Sequence, residues 1–193
     1  ERSKVWGSVT RLSPQEVQAR EQASELVFDA LLHFARNKVD ETIKGLSNAI
    51  DVDDKLFIAR KFRALALMIQ ANDLKKTGTE DIKMVSSKVA ENYELAIKDM
   101  QTVGIDLRIP VPAYLPSLEL RRGSELIAVA KTGDFILVRG LREYQGNYWL
   151  DISEVHHEAG TTSSDPSFEK FDLNQPVFAK LDIIADPKAN DSL

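Results

Sequence analysis

Apolar residues recur every three to four positions over 14–100 and every second position after about residue 118, so the chain changes from helical to extended patterning part-way along. Ser13-Pro14-Gln15-Glu16 opens the first helix: a serine N-cap, proline at the first helical position and glutamate at the third satisfy the orphan amides of the first turn. Ala23, Leu26, Val27, Ala30, Leu31 and Phe34 then lie on one face and predict a helix over 14–36. Asp40 is placed to cap a short second helix carrying Ile43, Leu46 and Ile50, with Gly45 in its interior at a cost of about 1 kcal/mol relative to alanine. After Asp51-Val52-Asp53-Asp54, a third face is formed by Ile58, Phe62, Leu65, Ala66 and Ile69, widened by Leu67 and Met68. Gly78 stops that helix and Thr79 caps the next, whose stripe is Ile82, Val85, Val89, Tyr93, Ala96, Ile97 and Met100 before Gly104. Short connections between helices predict an antiparallel bundle.

Pro110, Pro112 and Pro116 within 105–117 each remove a donor and hold the preceding residue extended, which marks this stretch as a linker. Beyond it Leu118 and Leu120, then ELIAVA, DFILVRG and YWLDI alternate as strands, separated by Gly123, Thr132-Gly133-Asp134 and Gln145-Gly146-Asn147. Residues 156–167 read as a polar loop and PVFAKLDIIA as a last strand. The expected class is α+β: a helical domain over 1–104 with a weakly alternating strand candidate at 4–12, a linker over 105–117, a small β-barrel or sandwich over 118–185, and a disordered tail over 186–193.

Composition narrows the chemistry. The 193 residues can bury a real core, and the absence of cysteine excludes disulfides, thiolate nucleophiles and cysteine-ligated metal sites. No apolar run approaches the ~20 residues needed to span a bilayer. A net charge of -5 argues against a general phosphate-backbone binder. The chain opens at Glu1, which favours a processed, extracytoplasmic protein, periplasmic or surface-anchored, over a cytoplasmic one.

Leu120-Arg121-Arg122-Gly123, followed by Val129, Gly133-Asp134, Val138 and Gly146-Asn147-Tyr148-Trp149-Leu150-Asp151-Ile152, resembles the bacterial Src-homology-3-like domain. It departs from the family pattern in the extra aromatic before the tryptophan and in the Leu-Asp that follows. The helical stretches DETIKGLSNAI, ARKFRALALMIQAND and AENYELAIKDM are similar to tetratricopeptide helices. Such repeats recur every ~34 residues, whereas Ala49-Ile50 and Ala96-Ile97 stand 47 apart, so an inserted repeat and an ordinary bundle both remain open. Helical hairpins joined to a Src-homology-3-like module occur in bacterial envelope proteins, and the resemblance implies a binding or scaffold role.

The candidate ligand-binding residues are Tyr144, Tyr148, Trp149, Arg121 and Arg142. Adjacent strand residues point to opposite faces, so only one of Tyr148 and Trp149 enters a core. One expectation is that Trp149 closes the barrel while Tyr148 sits half exposed; the other is that Tyr144 and one of the pair line a groove, where rigid aromatics with polar tips suit peptide or glycan contact. Arg121, Arg122, Arg139 and Arg142 prompt a nucleic-acid reading, but five basic residues face seven acidic ones between Leu118 and Glu158. His156-His157-Glu158 carries metal-ligand chemistry only if a loop makes the imidazoles converge, and a solvated strand end is the simpler reading. His33 lies within the first helix, and Arg60, Lys61 and Arg63 read as a wet helical face. No glycine-x-serine-x-glycine elbow and no phosphate-cradling glycine loop occurs, so no cofactor is expected.

Together these features predict a non-enzymatic binding or scaffold protein of the bacterial envelope that recognises a protein, a peptide or a cell-wall component such as peptidoglycan. A cell-wall-acting enzyme or its accessory subunit is the alternative, and a nucleic-acid binder the weaker one.

Overall fold

In a computed structural model, residues 12–76, 82–113, 115, 117–157 and 168–181 are described, and they form four helices followed by seven strands. The chain is α+β. It divides into two compact units, one ending at Arg63 and one beginning at Ala64, so the division falls within α3 (Phe57–Lys76) and not at the prolines. The strand candidate over 4–12 falls almost wholly outside the described residues, as do Gly78, Thr79 and the tail over 186–193.

The first unit is built on α1 (Pro14–Ala35) and α2 (Val39–Val52). The capping box forms as the sequence dictates: the Ser13 amide donates to Glu16 Oε2 at 2.8 Å, and the Glu16 amide donates to Ser13 Oγ at 3.2 Å. Asp40 does not cap α2; Lys38 stands at that position without a side-chain capping hydrogen bond, and Asp40 falls in the first turn, where its charge faces the positive end of the helix. Ala23, Val27 and Ala30 of α1 bury against Leu46, Ala49 and Ile50 of α2 and Ala59. Small residues permit a close crossing. A Cβ added at Gly45 would stand 2.9 Å from Ala30 Cβ, so the glycine that weakens α2 locally is what lets α1 approach it. Arg20 Nε donates to Asp53 Oδ2 at 2.9 Å and fastens the start of α1 beyond the end of α2.

Helix α3 packs only part of the face that the sequence marks, with Phe62, Ala66 and Leu67 turned inward. Ala59, Ala64, Ala66, Leu67 and Ala71 are buried, whereas Ile58 and Leu65 are exposed. Alanine carries no size signal, so Ala59, Ala64 and Ala71 extend the packed face beyond the stripe drawn through the bulkier side chains.

In the second unit α4 (Ile82–Val103) buries Val85, Val89, Tyr93, Ala96 and Ile97 and packs on two strands, β1 (Leu107–Pro110) and β4 (Phe135–Tyr144). Gly104 ends the helix at φ +87°, with the Ile105 amide donating to Met100 O at 3.1 Å. Only two residues, 105 and 106, then precede β1, which pairs antiparallel with β4 from Leu107↔Val138 to Pro110↔Phe135. The stretch expected to be a linker therefore contributes an edge strand. Proline is compatible with that position because an edge strand leaves one row of amides outside the ladder.

The remaining strands are β2 (Ser117–Arg122), β3 (Glu125–Lys131), β5 (Asn147–His156), β6 (Phe168–Lys170) and β7 (Val177–Lys180). They form one antiparallel sheet in the order β1-β4-β5-β7-β2-β3, with β6 paired to the far end of β5. Among the described residues no pairing joins β1 to β3, and the sheet is open. One face carries the core residues Leu120, Val138, Leu150, Ile152, Val177 and Ala179. Register shifts between Leu137 and Val138 and between Val138 and Gly140 leave Arg139 and Ser153 without opposite partners. These bulges let Ile152 and Val155, three positions apart, both be buried.

Candidate functional site

The face opposite the core holds four of the five residues that the sequence singles out. Gln145 and Gly146 adopt φ +53° and +73°, a left-handed pair that closes a two-residue hairpin between Tyr144 and Asn147. That turn fixes the register, which sets Arg142 opposite Trp149 and, across β5, Trp149 opposite Lys180. One ladder step on, Asp151 stands opposite Phe178 of β7, and Phe178 opposite Arg121 of β2. Directly opposed residues share a face, so Arg142, Trp149, Phe178 and Arg121 project from the same side of the sheet. Gly123, at φ +60°, turns β2 into β3 beside them.

Arg121, Gly123, Arg142, Glu143, Tyr144, Trp149 and Phe178 line a pocket of ≈ 440 Å³. Its size lies in the ordinary range for small-ligand sites, about 300–1,000 Å³. Trp149, Phe178 and Tyr144 supply flat apolar walls, and the two arginines and Glu143 supply charge of both signs.

The arginines are not equivalent. Arg121 is engaged by Glu119, whose Oε2 it meets at 2.7 Å, and it donates to the Ser124 carbonyl at 3.0 Å. Arg142 lies with its guanidinium carbon 5.3 Å from the Phe178 ring centre and reaches Asp151 only at 3.9 Å, with its side chain 64% exposed. Asp151 already accepts from Arg139 Nε at 2.9 Å, and the two side chains are closed to solvent at 11% and 13% exposure. Arg139 also donates to the Phe171 carbonyl at 3.3 Å, so the bulged arginine ties β4, β5 and the segment after β6 together. Trp149 Nε1 is buried without a hydrogen-bond partner among the described residues.

Four of the five sequence-chosen residues, Arg121, Arg142, Tyr144 and Trp149, come together at this pocket. Tyr148 does not. It stands opposite Glu143 on the side of the sheet that carries Leu150's partner Leu141, and its carbonyl accepts from the Leu181 amide at 2.9 Å. On β5 Leu150, Asp151, Ile152 and Val155 are buried, and alternation places the half-buried Trp149 on the face opposite Leu150 and Ile152. Phe178 was missed. In PVFAK it sits between the buried Val177 and Ala179, and this alternation is the signal that places it outside the core.

The histidines diverge. His156 meets Glu154 at 2.9 Å and stacks on Phe168 at 5.8 Å between ring centres, while His157 Nδ1 meets Asp134 at 2.9 Å across the β3–β4 turn. Burial pushes the Glu154 carboxyl up, but hydrogen bonds from His156 and Lys170 outweigh it and leave the group below its ordinary value. Among the described residues no group of three histidine or carboxylate side chains is arranged to hold a metal ion. Arg60 donates to the Asp54 carbonyl at 3.3 Å, and Arg63 donates to Ser47 Oγ at 3.1 Å, which ties α3 to α2. Among the described residues no helix is long and apolar enough to cross a membrane.

No protein-family model matches this sequence, and comparison with the curated proteins and with the solved structures finds no match.

Proposed function

We propose that the chain is a non-enzymatic binding or scaffold protein that recognises its partner through the aromatic pocket of the sheet. The supporting observation is the convergence of Arg121, Arg142, Tyr144, Trp149 and Phe178 from four separate strands on one concavity of ≈ 440 Å³. Large aromatics with few freely rotating bonds give contact area at small entropic cost, and they are over-represented in residues that dominate recognition. A protein, peptide or cell-wall component of the bacterial envelope is the partner class, an assignment carried by the resemblance of 120–152 to Src-homology-3-like domains.

Selection from a random peptide library against the immobilised chain, together with co-sedimentation with purified peptidoglycan, tests this reading. A peptide consensus or wall binding retained by the wild type and lost in the Trp149→Ala Phe178→Ala double variant is expected. Absence of both, or equal retention by the double variant, overturns it.

A further inference from the structure

The charges around the pocket are unevenly spent. Asp151 is a buried carboxylate opposite Phe178, and Arg139 already neutralises it at 2.9 Å in a nearly closed setting. Arg121 is neutralised by Glu119 at 2.7 Å. Arg142 is left over: at 3.9 Å from Asp151 it contributes little to a pair that is complete without it, and it rests over Phe178 with most of its surface in solvent. An arginine held against an aromatic ring is presented as a flat fork whose geometry matches a carboxylate.

From this geometry, and resting on the binding reading above, we infer that the pocket takes the C-terminal residue of a peptide whose last side chain is apolar. That side chain packs on Trp149 and Phe178, and its carboxylate pairs with Arg142. A terminal residue is favoured over an internal acidic one by reach. The guanidinium lies 5.3 Å from the Phe178 ring centre, so apolar group and carboxylate must be close together. In an extended peptide neighbouring side chains point to opposite sides, and an acidic neighbour would carry its charge away from the pocket. Only at a chain end does one α-carbon bear both groups.

Trp6 and Trp149 are the two tryptophans, so a Trp6→Phe chain reports on the pocket by the emission of Trp149 alone. Titration at low salt with acetyl-Gly-Gly-Phe as the free acid, as its C-terminal amide, and with acetyl-Gly-Asp-Phe-Gly-amide separates the sources of the carboxylate. Arg142 is 64% exposed and its pair is screened by solvent, so the free acid should bind about two- to fivefold more tightly than the amide. Arg142→Gln should remove that preference while leaving the far-ultraviolet circular dichroism unchanged. Equal binding of acid and amide, or a preference that survives Arg142→Gln, overturns the inference and leaves the aromatic pocket as a binding site. Tighter binding of the internal aspartate peptide overturns the terminal assignment. Binding of none of the three overturns the inference by itself, while the peptide selection above decides the broader reading.

Discussion

Arg139 and Asp151 meet at 2.9 Å across the bulged ladder of β4 and β5, with 13% and 11% of their side chains exposed. The bulge is what makes the pair. Because Arg139 has no opposite residue on β5, its side chain leans toward the strand position beside it and reaches the carboxylate of the residue opposite Gly140. Ionic pairs so enclosed are costly to break on one side, because the survivor is left charged and poorly solvated.

Asp151→Ala should therefore destabilise the second unit by about 3–5 kcal/mol, and Arg139→Met by a similar amount. Removing both should cost clearly less than the sum of the two. Urea denaturation of the four proteins checks this; additive losses would show that the two side chains act independently.

Gly45 lies where α2 passes Ala30 of α1, and an added Cβ would come within 2.9 Å of Ala30 Cβ, an atom that cannot swing aside. Overpacking of this kind costs about 1–3 kcal/mol, against about 1 kcal/mol gained from alanine's better helix propensity. Gly45→Ala should thus be a net loss of roughly 1 kcal/mol by the same magnitudes. The double variant Ala30→Gly Gly45→Ala should lose less than the two single changes added together. A stabilised Gly45→Ala chain in thermal unfolding would contradict the close crossing.

The hydrogen bond from Arg20 holds the Asp53 carboxyl below its ordinary value, although burial acts in the opposite direction. A carboxylate with a depressed folded pKa stabilises the fold above its unfolded value, about 3.9, and that contribution is lost as pH falls through the lower folded one. Arg20 is 40% exposed, so solvent screening limits the pair to about 0.2–1 kcal/mol. The thermal midpoint of Asp53→Asn should lie below that of the wild type by a constant amount at pH 5 and above, and the two should converge below about pH 4. Glu16, which is depressed by its bonds to Ser13, titrates in both proteins and cancels from the difference. A gap that widens on acidification would reverse the assignment.

What the sequence revealed follows from which forces act locally. The capping box at Ser13 and Glu16, the stop at Gly104 and the two-residue turn at Gln145-Gly146 are decided by a few neighbouring residues, and all three are legible in the sequence. The face of α3 is legible only in part: Phe62, Ala66 and Leu67 of the expected face are packed, but Ala59, Ala64 and Ala71 carry no size signal and their burial depends on neighbours distant in sequence. Strand β1 was hidden for a similar reason: Pro110 and Pro112 look like a linker until β4 supplies the partner that makes 107–110 an edge. Arg121, Arg142, Tyr144 and Trp149 could be chosen by residue type. Phe178 could not, since its place at the pocket depends on the pairing of β7 with both β5 and β2.

Tyr148 and Trp149 are neighbours on opposite faces of the sheet, and changing each in turn separates a pocket from a generic sticky surface. Trp149 faces Arg142 and Phe178, whereas Tyr148 faces the side of the sheet shared with Leu141 and Leu150. If recognition uses the pocket, Trp149→Ala should weaken peptide binding at least tenfold, a loss of about 1.4 kcal/mol or more. Tyr148→Phe, which removes a hydroxyl from the other face, should leave the dissociation constant within about twofold, or about 0.4 kcal/mol. Isothermal titration of both variants with the peptide recovered from library selection measures the two values under one set of conditions. A larger effect at Tyr148 than at Trp149 would move the recognition surface to the opposite side of the sheet.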